Sequence, residues 1–256
     1  MNGWFPSAPC QPHSCVDEPG RRAAWPRRLL RWGAVAAVLA AGILVPRPRL
    51  ARALLRAAGV RVVVRGKAPR TGLVVGNHVS WLDVVVFVGW FGCRMLAKTE
   101  VRRWPVIGVA ARRLRVLFID RDSLRRLPET VDSVAEALRD GDLIGAFPEG
   151  TTWCGRAMGR FRPAVFQAAA DSGAPVTPVA LEFTVDGRRS SVAAFVGQDT
   201  VVASLSRVIA ARGVRVEAQL LPPRTGSDRR VLASAAHEDV SRARGYGVGH
   251  VVVRAP

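Results

Sequence analysis

The chain has 256 residues with 38 Lys and Arg against 20 Asp and Glu, a formal net charge of +18, and 49% of it is hydrophobic. This length suits one large domain or two small ones, and the apolar content can form a sizeable core. No period of about 20 to 50 residues repeats, which excludes a solenoid. The excess positive charge indicates an anionic partner (nucleic acid, an acidic lipid surface or a phosphorylated substrate) or a generally arginine-rich proteome.

The positive charge is concentrated in two stretches. Residues 1–70 hold thirteen Arg and Lys and two acidic residues, a balance of 13 − 2 = +11, and five arginines fall between Glu100 and Asp120 without an acid among them. These basic runs lack an ordered aromatic platform or a recognisable nucleic-acid-binding module. We therefore expect an anionic membrane surface and a phosphorylated substrate as partners, and no nucleic acid.

Residues 1–20 are rich in Pro, Cys and polar residues without periodicity, which predicts disorder. The four cysteines form no CxxC pair, so free thiols in a reducing cytoplasm fit them better than a disulfide framework. They are Cys10, Cys15, Cys93 and Cys154. Cys10, His13 and Cys15 are close in sequence, but a zinc site needs a fourth ligand, so we predict no metal site.

A membrane-anchoring segment is predicted over residues 21–58. Arginines precede an apolar run of thirteen residues from Gly33 to Val45, and prolines and arginines close it. Such a run makes about 20 Å of helix, short of the bilayer core of about 30 Å. A secretory signal, a single transmembrane helix, an interfacial helix and a buried core helix all remain open. Charge on both sides argues against translocation, which favours an anchor or interfacial helix held by anionic headgroups.

Strands and helices alternate over residues 59–256, the predicted catalytic domain. Apolar runs predict strands at 60–64, 73–76, 94–97, 116–119, 143–147, 176–183 and 214–221. Helices are predicted at 81–91, 100–112, 127–138, 161–170 and 201–212, before a polar helix-like end. The alternation is typical of an α/β domain with a mostly parallel sheet flanked by helices. Sites in such sheets gather at the carboxyl ends of strands, and His78, Arg121 and Glu149 each follow a strand.

The first chemical motif is NHVSWLD over residues 77–83. On an ideal helix, side chains five residues apart diverge by about 140°. His78 and Asp83 therefore meet only if His78 precedes a helix that Ser80 caps. Asp83 then orients the imidazole, and the free ring nitrogen is available as a general base. The chain has no GxSxG nucleophile motif, which favours direct attack by a substrate hydroxyl over an acyl-enzyme.

The second motif, FPEGTT over residues 147–152, follows an apolar strand. Together the two motifs resemble motifs I and III of the glycerophospholipid acyltransferase family, which includes the bacterial 1-acyl-glycerol-3-phosphate acyltransferases. Further segments resemble the rest of the family pattern, in order, within about residues 60–185. They are KTEVRRWPVIG at 98–108, FIDR at 118–121 and VTPV at 176–179.

The resemblance implies a role for each matching residue. His78 would be the general base on the acceptor hydroxyl, and Asp83 would orient it. Arg121 would contact the phosphate of the acceptor, with Lys98 adding positive charge beside it. Three residues of the second motif would shape the acceptor pocket: Glu149, Gly150 and Thr151.

Two departures from the family pattern concern the acceptor. Motif II commonly begins with Gly, where this chain has Arg115, and motif III often continues with Arg, where this chain has Thr152. Arg156 and Arg160 are candidates to replace the missing charge. The departures bear on which lipid is acylated and leave the predicted reaction unchanged.

The expected activity is transfer of a fatty acyl group from acyl-CoA or acyl carrier protein to 1-acyl-sn-glycerol 3-phosphate, giving phosphatidate in phospholipid biosynthesis. Alternative acceptors are lyso-ornithine lipid, another lysophospholipid and glycerol 3-phosphate. A nucleic-acid-binding protein and a non-catalytic docking protein are the rivals from other classes. The lack of a recognisable binding module disfavours the first, and the intact pair of His78 and Asp83 disfavours the second. No metal or tightly bound cofactor is expected. The predicted location is the cell membrane, with the catalytic domain on the cytoplasmic face.

Overall fold

A computed structural model describes residues 8–42, 47–99, 115–119 and 124–246. Its helices are α1 (Pro12–Cys15), α2 (Trp25–Ala41), α3 (Arg47–Ala57), α4 (Trp81–Val86), α5 (Leu127–Arg139), α6 (Ala164–Ser172), α7 (Val201–Ala210) and α8 (Arg229–Ala243). Its strands are β1 (Arg61–Arg65), β2 (Gly72–Gly76), β3 (Arg94–Lys98), β4 (Leu117–Ile119), β5 (Leu143–Ala146), β6 (Val176–Val185), β7 (Arg188–Arg189) and β8 (Val214–Leu220).

The described strands form one sheet in the order β1-β8-β6-β2-β5-β3-β4, with β7 beside β6. The pairs β1/β8, β6/β2, β2/β5, β5/β3 and β3/β4 run parallel, and only β8 and β7 pair antiparallel with β6. The predicted α/β class with a mostly parallel sheet flanked by helices is therefore confirmed. Strand β2 lies at the centre, where helices cover both faces of the sheet.

Strand β2 shows why the centre of the sheet is uniformly apolar. All five of its residues are buried. Leu73 and Val75 point to a core that α5, α6 and α8 complete, whereas Val74 points to a core that α3, α4 and α7 complete. A strand that is buried on both faces needs hydrophobic side chains at every position, which explains its continuous apolar sequence.

The helix predicted over residues 81–91 has two parts. The α-helical turns of α4 end at Val86, and one π-helical turn, Phe87–Phe91, follows. Gly92 closes this turn in the left-handed conformation, with a φ of 77°, which glycine adopts without steric cost. The helix predicted over 100–112 and the candidate Arg121 lie outside the described residues.

Disorder is predicted for residues 1–20, of which the structure describes residues 8–20 with contacts to the domain. Cys10 is buried in the core. The carboxylate of Asp17 accepts hydrogen bonds from the Ser190 hydroxyl at 3.0 Å and the Ser191 N–H at 2.8 Å. Composition alone missed this docking because the partners lie more than 170 residues further along the chain.

Helix α2 begins at Trp25, well before the apolar run that starts at Gly33. It is docked on the domain, because Nη1 of Arg31 donates to the carbonyls of Ile209 at 2.6 Å and Ala211 at 2.8 Å, at the C-terminal end of α7. Such carbonyls lack partners within their own helix, so a cation there is favourable. Among the described residues, none of the helices has the length and apolar character needed to cross a bilayer.

Candidate active site

Two parallel neighbouring strands bring the two motifs together. Strands β2 and β5 pair with Val75 opposite Ala146. His78 and Glu149 each lie three residues beyond this pair, so both leave the sheet at the same edge. The carboxyl ends of parallel strands are where sites form in such sheets, and the site begins here.

The first motif folds into a capped helix start. Ser80 is extended, with φ −149° and ψ 157°, and its hydroxyl accepts from the Leu82 N–H at 3.3 Å. In return, Oδ2 of Asp83 accepts from the Ser80 N–H at 2.8 Å and the Val79 N–H at 2.6 Å. This capping box satisfies backbone donors that have no partner within the helix. It also fixes the Asp83 carboxylate at the N-terminus of α4.

The imidazole of His78 is held on one nitrogen and one face. Nδ1 lies 3.0 Å from Oδ2 of Asp83, which is fully buried. The ring stacks on Phe147 with centroids 4.1 Å apart and planes 7° apart. The side chain of His78 keeps 18% of its surface exposed. With Nδ1 oriented by the carboxylate, Nε2 is the nitrogen available to a substrate hydroxyl.

Glu149 is buried and binds protein N–H groups. Oε1 accepts from the N–H of His78 at 3.0 Å, and Oε2 accepts from the N–H of Gly159 at 3.1 Å. Burial raises the pKa of Glu149 well above its ordinary value of 4.5, while the two N–H donors and the nearby Arg244 act to lower it. In this geometry Glu149 holds the backbone of His78, whereas the resemblance placed it at the acceptor pocket.

The loop after Glu149 also binds the backbone of His78. Gly150 has a φ of 76° and donates to the Phe147 carbonyl at 3.1 Å, which makes a tight turn. The chain then returns so that the N–H of Trp153 donates to the carbonyl of His78 at 2.7 Å. Both backbone groups of His78 are therefore bound by the second motif and the residues that follow it. Thr151 lies half-buried on this loop.

The remaining candidates are further away or engaged elsewhere. Lys98 is the last residue of β3, and β5 lies between β3 and β2. The backbone of Lys98 is therefore at the same edge of the sheet as His78 but two strands away. Arg156 forms an ion pair with Asp17 at 2.6 Å, and Arg160 is exposed. The structure thus joins His78, Asp83 and the second motif directly.

Asn77 was part of the first motif but had no predicted role. Its Nδ2 donates to the Leu181 carbonyl at 3.0 Å, and its Oδ1 accepts from the Leu181 N–H at 2.8 Å. The side-chain amide thus continues the pairing of β2 with β6 beyond the end of β2. Phe147, which stacks on His78, was also missed because an aromatic residue at a strand end is ordinarily core. Only the position of Asn77 between a strand and the histidine could have indicated its role.

Comparison with known proteins identifies the family. A model of the family described as Acyltransferase matches residues 49–182, more than half of the chain and all of the site described above. The chain belongs to this acyltransferase family, and it is an O-acyltransferase. It is 36% identical over 187 residues to a lyso-ornithine lipid O-acyltransferase of Pseudomonas aeruginosa, which covers 71% of each chain.

Two further acyltransferases are similar to this chain. A 1-acyl-sn-glycerol-3-phosphate acyltransferase of Neisseria meningitidis is 36% identical over 137 residues, covering 52% of this chain and 54% of that protein. The crystal structure of the 1-acyl-sn-glycerophosphate acyltransferase PlsC of Thermotoga maritima superposes with a TM-score of 0.57 at 22% identity. That match covers 86% of this acyltransferase and 94% of the other chain, and it shows the shared fold.

The buried Glu149 predicts a specific pH dependence of stability. Because its pKa is raised in the folded protein, its stabilising contribution is complete below about pH 4.5 and is lost as the pH rises through the folded-state value. We expect the free energy of unfolding of the wild type, relative to Glu149→Gln, to fall as the pH rises from about 4.5. Urea unfolding at a series of pH values measures this difference.

The variant also loses one N–H acceptor, which lowers its stability by about 1–3 kcal/mol at every pH. Glu136→Gln on the exposed face of α5 is the matched control for removal of one carboxylate. If the free energy of unfolding of the wild type, relative to that of Glu149→Gln, rises with pH, the raised pKa of Glu149 is contradicted.

Proposed function

We propose that this acyltransferase moves a fatty acyl group from acyl-CoA or acyl carrier protein to the hydroxyl of 1-acyl-sn-glycerol 3-phosphate, giving phosphatidate. The observation that carries the proposal is the imidazole of His78, whose Nδ1 is held by a buried carboxylate. Such a pair activates a hydroxyl, and the resemblance to the glycerophospholipid acyltransferases supplies the acceptor. No tightly bound cofactor is needed for this reaction.

The geometry supports a direct transfer. The acceptor hydroxyl gives its proton to Nε2 of His78 while its oxygen attacks the thioester carbonyl, and the negative charge of Asp83 stabilises the imidazolium that forms. The carbon–sulfur bond then breaks as the ester is completed. The leaving thiolate takes the proton from the imidazolium, which returns His78 to its starting state.

Replacing His78 by Ala removes the base. We expect kcat to fall by at least about 10²-fold, the usual contribution of a general base, with the thermal unfolding midpoint close to that of the wild type. Acyl transfer from radiolabelled acyl-CoA to a lysolipid, with the product separated by thin-layer chromatography, measures the loss. His13→Ala, at an exposed histidine outside the site, is the control and should retain full activity. Near-normal activity of His78→Ala would rule out the mechanism.

Lyso-ornithine lipid, which has no phosphate, is the second candidate acceptor. The position where the family pattern often has Arg holds Thr152, and its hydroxyl donates to the Phe195 carbonyl inside the protein. Arg156 is already paired with Asp17. Neither Thr152 nor Arg156 replaces the cation of the family pattern at this position, which makes an acceptor without a phosphate the second candidate. The name of the Pseudomonas aeruginosa relative supports the same candidate.

A panel of acceptors separates the two candidates. With wild type and His78→Ala, kcat/KM is measured for 1-acyl-sn-glycerol 3-phosphate, lyso-ornithine lipid, another lysophospholipid and glycerol 3-phosphate. We expect the highest value for 1-acyl-sn-glycerol 3-phosphate. A higher value for lyso-ornithine lipid would replace the first candidate by the second without changing the role of His78.

The outer face of α2 supports docking on a membrane surface. Trp25, Leu29 and Leu30 are 71%, 59% and 73% exposed, which is unusual for large apolar side chains on neighbouring turns. Exposed arginines accompany them, including Arg27 and Arg28. Because the opposite side of α2 is docked on α7, we propose that the helix lies in the interface of an anionic membrane, at the cytoplasmic face of the cell membrane.

Charged substitutions on this face test the docking. The double variant Leu29→Glu with Leu30→Glu should weaken binding to phosphatidylglycerol vesicles by at least about tenfold, because burial of each leucine contributes about 1.5–3 kcal/mol. Co-sedimentation with vesicles measures binding, and phosphatidylcholine vesicles show the contribution of charge. Val231→Glu on α8, 66% exposed on the other face of the sheet, is the control. Equal binding of all three proteins would refute the proposed surface.

A further inference from the structure

Three cysteine thiols converge at one point beside the active-site loop. The Sγ atoms of Cys10, Cys15 and Cys154 all lie within 4.8 Å of one another. Cys10 and Cys154 are buried and Cys15 is half-buried, and all three are free thiols. The sequence brings only Cys10 and Cys15 near each other, with Cys10 two residues before the start of α1 and Cys15 at its end. The fold adds Cys154 from the loop after the second motif.

We propose that these three cysteines bind a zinc ion. Zinc–sulfur bonds of about 2.3 Å in a tetrahedral site place neighbouring sulfurs about 3.8 Å apart, so small movements bring all three sulfurs to the ion. Thiolates select soft cations such as zinc. A disulfide, in contrast, needs two sulfurs at about 2.05 Å and leaves the third without a role. The expectation of no metal site rested on Cys10, His13 and Cys15 alone, without the ligand that the fold supplies.

The surrounding contacts tie together the segments that carry Cys15 and Cys154 without the ion. Two residues after Cys15, Asp17 binds Ser190 and Ser191. Its carboxylate also pairs with Arg156, two residues after Cys154. The peptide segments that carry the ligands are therefore tied to each other by an ion pair beside the thiols. A site formed in this way needs little rearrangement, and metal binding has only to release the thiol protons.

The fourth position of the zinc is open to solvent. His13 lies in α1 with Cys15, but it is exposed and its ring nitrogens are not part of the cluster. Cys15 is half-buried, so water reaches the sulfurs from its side. We assign water as the fourth ligand, which predicts that His13 is dispensable for binding.

The ion would act as a positioning element for the base. Cys154 directly follows Trp153, whose N–H donates to the carbonyl of His78. Zinc at Cys154 would fix the start of this loop and tie it to residues 8–20 at the same time. The proposed zinc touches neither the acyl group nor the acceptor, and the inference does not depend on which lipid is acylated.

Metal analysis of the full chain tests the proposal without any substrate. The protein is purified under reducing conditions without a histidine tag, loaded with zinc sulfate and passed through gel filtration. Bound zinc is measured by mass spectrometry of the metal, and affinity by competition with a chromogenic chelator. We expect about one zinc per chain. We expect zinc to raise the thermal unfolding midpoint, because an ion that binds the folded state stabilises it.

Single substitutions identify the ligands. Cys10→Ser, Cys15→Ser and Cys154→Ser should each weaken zinc binding by more than about tenfold, since even outer-shell changes cost that much. His13→Ala and Cys93→Ala are the matched controls and should bind like the wild type. Cys15→Ser is the decisive variant because Cys15 is half-buried, so its replacement disturbs the core less than replacement of the buried Cys10 or Cys154. Circular dichroism checks that the variant is folded.

Two results would overturn the proposal. One is a wild type that binds zinc no more tightly than Cys15→Ser. The other combines two observations. Without reductant, two of the three cysteines form a disulfide, which protects them from alkylation, and after reduction the protein binds no zinc.

Discussion

One buried carboxylate oxygen organises the site of this acyltransferase. Oδ2 of Asp83 accepts the N–H groups of Val79 and Ser80 and lies 3.0 Å from Nδ1 of His78. A carboxylate in the protein interior is tolerated only where donors surround it, so these bonds are a condition of the fold as well as of the chemistry. The same oxygen caps helix α4 and orients the imidazole of His78. Among the described residues no group donates to Oδ1 of Asp83, which leaves Oδ2 to hold the side chain in place.

The parallel pairing of β2 with β5 supplies the other half of the site. It brings Glu149 to the N–H of His78, and the returning loop brings Trp153 to the carbonyl of His78. The ring is fixed by Asp83 and Phe147, and the backbone by the second motif. A base that is held in this way pays little entropy to reach its reactive geometry, which is how rigid strand ends favour catalysis. The N-terminal region joins this framework, because residues 8–20 and α2 are both docked on the domain.

The parts of the fold that were predicted are those with local causes. The strands at 73–76, 176–183 and 214–221 were located within two residues of those observed, because continuous apolar runs report burial directly. The capped start of α4 followed from Ser80 and Asp83, whose spacing is itself a local signal. The docking of Asp17 on Ser190 and Ser191 and the inward turn of Glu149 were not predicted, because their partners come from other elements. Residues 98 and 121 remain candidates from the resemblance.

The sequence by itself determined the local geometry of His78 and Asp83, and the resemblance of its motifs to the glycerophospholipid acyltransferases indicated the class of reaction. A histidine five residues before an aspartate meets it in only one local geometry, and a local geometry can be worked out from spacing. The tertiary structure decided the rest: that Glu149 binds the backbone of His78, that the Thr152 hydroxyl donates to the Phe195 carbonyl, and that Cys154 lies beside Cys10 and Cys15. Each of these contacts joins residues far apart in the chain. Such contacts depend on how strands and helices pack, so the spacing of residues in the sequence does not reveal them.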